Sequence, residues 1–127
     1  MTKLLLFVGL GSGIGGMLRV ALSLFVNAKY GKIAGFPIGI VAVNLIGCFL
    51  MGFVATYLSK KPDFESLYNF LAIGVLGGFT TFSAFSLETL QLMQQRDFFN
   101  AFLYVAISVL AGILACFLGF FIKNSLT

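Results

Sequence analysis

The chain has 127 residues, 60% hydrophobic and 9% charged, with a formal net charge of +4 and a mean hydropathy of +1.07. That balance excludes a soluble domain, since there is too little polar surface to cover one, and it indicates an integral membrane protein. With no histidine and no acidic cluster, transition-metal sites and histidine-based catalysis lack raw material, and no nucleic-acid partner is expected.

Four segments reach the roughly 20 apolar residues that cross a bilayer core: Leu4 to Val26, Phe36 to Ser59, Tyr68 to Met93 and Phe99 to Ile122. Short loops join them, carrying Lys29 and Lys32, then Lys60 to Glu65, then Arg96 and Asp97, so residues 1–127 read as a single four-helix transmembrane domain. The first segment, Leu-rich after Met1-Thr2-Lys3, superficially resembles a signal peptide. Gly9 to Gly16 lacks a polar region with a small-x-small cleavage site, and the segment is long enough to span. Gly11 to Gly16 formally satisfies G-x-G-x-x-G. A dinucleotide site, however, needs a preceding strand and an acid about 20 positions on, where this chain has Phe36. The pairs Gly9/Gly13 and Gly11/Gly15 instead suit close approach of a second helix. Arg19, roughly 22 Å along the helix from Leu4 at 1.5 Å per residue, either snorkels to the interface or lines an aqueous vestibule that attracts anions.

In the second segment Asn44 places an amide at middle depth, flanked by Val43 and Leu45. It needs partners: an interhelical bond that holds the bundle together, or a permeating anion that takes its N–H. Cys48 and Cys116 lie inside spans and read as buried packing. The third segment carries Gly77-Gly78-Phe79-Thr80-Thr81-Phe82-Ser83-Ala84-Phe85-Ser86, a glycine pair and a run of hydroxyls where polarity is expensive. A helix that loosens at this depth is tolerated only against protein or a water-filled cavity, and transporters and channels use such breaks to bind ions. Phe82 and Phe85 lie on adjoining parts of one face. They are either core or lipid-facing filler, or a place where an anion lies against positive ring edges beside the hydroxyls of Thr81, Ser83 and Ser86. Glu88 shares that face, as part of a polar track or simply near the surface. In the fourth segment Tyr104 and Ser108, one turn apart, add hydroxyls. Gly74/Gly78 and the stripe Ser108, Ala111, Gly112, Ala115, Gly119 suit close packing.

For four crossings, Lys3, Lys60, Lys61 and Lys123 fall on one side and Lys29, Lys32 and Arg96 on the other. Four against three gives the positive-inside rule almost nothing to act on. Four thin helices also enclose a pore poorly. Together these favour a dimer of oppositely oriented copies, with a parallel dimer as the plainer alternative.

The blocks Asn44-Leu45-Ile46-Gly47-Cys48-Phe49-Leu50-Met51-Gly52 and Gly77 to Glu88 resemble the two signature blocks of the Fluc (CrcB) fluoride channels. The likeness extends over the whole chain, with Ala84 standing where that pattern usually has threonine. It implies an all-α membrane protein of four transmembrane helices, the third one broken. It also implies an antiparallel, dual-topology homodimer in the bacterial inner membrane that passively expels fluoride. A structural sodium ion on the two-fold axis is implied as well, held by the backbone carbonyls of Gly77 and Thr80. By the same matching, Phe82 and Phe85 line the fluoride path with Asn44 and Ser108, and Arg19 lies near the vestibule. Passive flow suffices, because about 100 mV, inside negative, is worth roughly 2.3 kcal/mol per charge and drives an anion outward some 50-fold. Selectivity for fluoride over chloride follows from the resemblance, not from composition. Two rivals stand beside this reading. A small dual-topology multidrug exporter would carry an acid in the first helix, where this chain has none. A non-transporting membrane subunit would pass no ion in liposomes.

Overall fold

The computed structural model describes residues 1–33 and 35–126, and Ala34 and Thr127, at one loop and the end of the predicted domain, lie outside the described residues. Four stretches are long and apolar enough to cross a membrane: Thr2–Tyr30, Gly39–Leu58, Pro62–Gln94 and Phe98–Ser125. The protein is a multi-pass membrane protein. Helix α1 (Thr2–Tyr30) has 29 residues and the last helix, α6 (Phe98–Ser125), has 28. At 1.5 Å per residue each is roughly 43 Å long, well beyond the ~30 Å hydrocarbon core. Helical hydrogen bonding therefore continues past the ends of the apolar windows, which is why both helices outrun the predicted Leu4 to Val26 and Phe99 to Ile122.

The second span starts later than predicted. Lys32–Ile33 (β1) pairs antiparallel with Phe36–Pro37 (β2), and a residue before proline disfavours helical dihedrals. Gly31 and Gly35 adopt positive φ, 60° and 84°, at the two ends of β1, a conformation glycine takes without cost. Helix α2 (Gly39–Leu58) then begins where the Asn27 side-chain oxygen accepts from the Gly39 N–H at 3.0 Å.

The third span changes character along its length. A 3₁₀ turn at Pro62–Phe64 leads into α3 (Glu65–Tyr68), an eight-residue π-helix (Asn69–Leu76) and α4 (Gly77–Phe79). Thr80 and Thr81 are extended, with φ/ψ of −77°/153° and −149°/124°. Helix α5 (Phe82–Gln94) follows. The interruption thus falls after the glycine pair rather than on it. Gly77 is helical, with φ −63°, and Gly78 is needed for packing: a Cβ there would lie 2.5 Å from the Ser12 carbonyl oxygen.

Two helix pairs build the bundle. Gly11 of α1 faces Gly74, where a Cβ would stand 2.9 Å from the Gly74 Cα, and Gly15 faces Val75 and Phe79. Gly9 and Gly13 meet nothing within 4 Å, so of the two predicted pairs only Gly11/Gly15 packs within the protomer. The other pair is α2 with α6, where Gly52 lies on the Cys116 backbone and Gly119 on that of Phe49 and Phe53. The interior is small. Val43 and Tyr104 are its largest fully enclosed side chains, while Leu5, Phe102, Leu110 and Ile113 are among many exposed apolar ones. A soluble protein does not carry such a surface, but a lipid-facing one does.

Candidate functional site

The backbone turns extended at Thr80 and Thr81, and three side-chain interactions hold it there. Thr81 is the N-cap of α5, its Oγ1 accepting from the Ala84 N–H at 3.2 Å, the usual role of a threonine at a helix start. The Thr80 hydroxyl donates to the Leu76 carbonyl at 3.0 Å, closing off the preceding helix. Asn44 then reaches across from α2. Its Oδ1 accepts from the Thr81 N–H at 2.8 Å, and its Nδ2 donates to the Thr81 carbonyl at 3.0 Å. One amide thus pairs with both main-chain groups of a single residue, as a neighbouring strand would. An uninterrupted helix would have sent the Thr81 N–H to the Gly77 carbonyl.

A cavity of about 250 Å³ opens beside this pairing, and its lining includes Asn44, Thr80, Thr81, Phe82, Phe85 and Ser108. Three different spans supply these residues. The Phe82 and Phe85 rings are 5.5 Å apart and tilted by 47°. Phe82 is 78% exposed in the protomer and Phe85 only 9%, so one ring faces outward and the other is fixed. Phe85 stacks on Tyr104 at 5.5 Å, and Tyr104 stacks on Phe36 at 6.4 Å. The Ser108 Oγ is buried and has no hydrogen-bond partner among the described residues. An orphaned buried hydroxyl calls for a ligand, water or ion to complete it.

The other predicted residues divide. Tyr104 is 2% exposed and donates its hydroxyl to Glu88. It therefore backs Phe85 rather than lining the cavity. Ser83 pairs with Thr81, Oγ to Oγ1 at 3.1 Å. Ser83, Thr81 and Arg19 border a second cleft of about 380 Å³, on the α1 side of α5. Thr81 thus touches both spaces. Ser86 is committed locally, donating to the Phe82 carbonyl at 2.9 Å. Gly77 lies outside both linings. Cys48 lines the first cavity and was read from the sequence as packing alone. It lies at i+4 from Asn44, so helical spacing put it on that face. Asn44, for its part, takes the interhelical bond, which leaves one of its two N–H donors over.

This lining is uncharged and mostly apolar, with the Ser108 hydroxyl, one Asn44 N–H and the Phe82 and Phe85 ring edges as the groups left to meet an ion. It can replace part of the water around a small anion without fixing it through a full opposite charge. Among the described residues no group of three or more His, Cys, Asp or Glu could hold a metal ion.

Comparison with known proteins places these residues in context. Residues 6–120 match the model of the family described as CrcB-like protein, Camphor Resistance (CrcB). A protein of Novosphingobium aromaticivorans named fluoride-specific ion channel FluC is 49% identical over 113 residues, covering 89% of this chain and 90% of that protein. Proteins of the same name from Francisella tularensis subsp. mediasiatica and Helicobacter pylori are 42% and 38% identical, each covering at least 95% of both chains.

Proposed function

The chain belongs to the CrcB family, and on that premise we propose that it is a passive, fluoride-selective channel that lets fluoride leave the cell down its electrochemical gradient. The family is one of ion channels, not of enzymes, so no residue is assigned a catalytic role. The observation that carries the reading is the shared cavity. Asn44, Thr81, Phe82, Phe85 and the unpartnered Ser108 hydroxyl converge at the interruption of the third span. An anion at this point has the Ser108 hydroxyl, the spare Asn44 N–H and the Phe82 and Phe85 ring edges around one cavity. Arg19 and Ser83 border the adjoining cleft, and the Arg19 charge raises the local anion concentration at its mouth. Tyr104 holds Phe85 in place from behind.

The pathway is completed by a second, antiparallel copy in the bacterial inner membrane. Phe82 stands 78% exposed in the single chain, and the loop cations divide four to three. Both features suit a partner entering in the opposite orientation. A structural sodium ion fits the same interface. With the Thr81 N–H held by Asn44, the Gly77 carbonyl is relieved of its helical donor, and Gly77 lies at an exposed position of the single chain. The carbonyls of Gly77 and Thr80 would hold the ion, two per chain, and the ion would supply positive charge that fixes the two interruptions against each other.

Purified protein in liposomes loaded with fluoride and chloride tests the proposal. A fluoride electrode should record rapid, voltage-driven fluoride release while chloride stays inside. Vesicles that retain fluoride, or lose both ions equally, would defeat it. Replacing external and internal sodium by a bulky organic cation should weaken dimer stability, and an unaffected dimer would remove the cation from the account.

A further inference from the structure

The β1–β2 pairing that joins α1 to α2 is fastened at two points. A Cβ on Gly35 would stand 2.9 Å from the Asn100 Nδ2, so the connection lies directly against the start of α6, where Asn100 is itself held by donating that Nδ2 to the Asp97 Oδ2 at 2.8 Å. A Cβ on Gly39 would lie 2.6 Å from the Asn27 Oδ1, the atom that accepts from the Gly39 N–H. Phe36 sits between these anchors. It pairs with Ile33 across the ladder, and the ring of Pro37 restricts the backbone that follows it.

That placement delivers one side chain to the interior. Phe36 stacks on Tyr104 with centroids 6.4 Å apart and planes 18° from parallel, and Tyr104 stacks on Phe85 at 5.5 Å and 16°. Both neighbours thus lie nearly parallel to Tyr104. Phe36 is only partly buried and packs against the cluster that contains Phe85 and Tyr104, yet it lines neither the Asn44 cavity nor the Arg19 cleft. Any effect it has on an ion must pass through Tyr104. That ring is fixed at its hydroxyl by Glu88 and over its plane by Phe36 and Phe85, so losing Phe36 removes one of its supports. Orientation then matters at the cavity, because the edge of a phenylalanine ring is positive and its face negative. A Phe85 ring turned face-on repels an anion that its edge would attract.

We propose that Phe36 is a positioning residue for the ion pathway, holding the edge of the Phe85 ring toward the cavity through Tyr104. This rests on fluoride passing Phe85. It makes the short connection between α1 and α2 a part of the conducting machinery, although no atom of Phe36 meets the ion.

Full-length protein in liposomes tests it, with fluoride efflux per amount of protein measured beside melting in detergent. Phe36→Leu keeps an apolar side chain but removes the ring, and efflux should fall by about fivefold, the weight of one aromatic contact. Phe36→Tyr keeps the ring and should conduct near the unmodified rate. Phe7→Leu is the control: Phe7 meets Phe70 edge-on at 6.5 Å and neither ring lines the cavity, so this variant should melt earlier and conduct normally. In a Phe85→Ile background Phe36→Leu should add nothing to the loss of efflux, since the ring it positions is gone. Phe36→Met carries the same expectations should the leucine variant fail to fold. Normal efflux in the Phe36 variants would overturn the proposal, as would a loss no larger than that of Phe7→Leu at equal melting temperature, or full additivity with Phe85→Ile; each leaves the fluoride pathway standing. Unchanged efflux in Phe85→Ile alone would instead take Phe85 off the pathway, and this inference with it.

Discussion

Asn44 pairs with both main-chain groups of Thr81 while its remaining N–H is left for the cavity, so a substitution at this position acts on the support and on the cavity together. Asn44→Asp keeps an acceptor for the Thr81 N–H but sets a carboxylate beside the pathway. At about 5 Å and an effective dielectric of about 20, that costs a passing anion roughly 3 kcal/mol, and fluoride efflux from liposomes should fall by about a hundredfold. Unchanged efflux would move the pathway away from α2. The two phenylalanines should behave differently from one another. Phe82 is exposed and Phe85 buried, so Phe82→Ile should lower efflux with little change in thermal stability. Phe85→Ile should lower efflux and also destabilise by about 1 kcal/mol for each aromatic pair lost; melting in detergent beside the efflux assay distinguishes the two. Thr81→Val preserves shape but removes the cap on α5, for an expected loss of about 1 kcal/mol.

At the level of elements, the contact between α1 and the third span depends on missing side chains. A Cβ on Gly11 would lie 2.5 Å from the Phe70 carbonyl oxygen, whereas one on Gly9 would meet nothing within 4 Å. Gly11→Ala or Gly15→Ala should therefore lower the melting temperature in detergent by several degrees, equivalent to the roughly 1–3 kcal/mol of an overpacked contact. Gly9→Ala should leave the protomer as stable or slightly more so, given alanine's better helix propensity. Equal effects at Gly9 and Gly15 would mean that α1 packs in a different register.

For the whole molecule, near-equal loop charge is expected to give both orientations in one membrane. A reporter fused at the C terminus should be found on both sides. Two or three lysines added to the loops bearing Lys29, Lys32 and Arg96 should then force one orientation and reduce fluoride efflux, because oppositely oriented copies are no longer made together. A strictly one-sided reporter in the unmodified protein would sink the antiparallel dimer.

The membrane setting and the four spans are legible in the sequence, which also singles out Asn44, Thr81, Phe82, Phe85 and Ser108, residues that the fold brings to one cavity. Hydropathy, helix period and small-residue spacing are local properties that survive without coordinates. It could not say where the third span would open. The glycine pair reads as the weak point, but Gly77 and Gly78 are helical and Gly78 serves the close approach of Ser12. Thr80 and Thr81 open instead because Asn44, 37 positions earlier than Thr81, takes over the hydrogen bonds. The sequence likewise leaves Asn44 between two roles and does not reveal that Tyr104 packs on Phe85 outside the cavity lining. Those choices depend on which donors meet which acceptors across helices, and only packing brings such partners into reach.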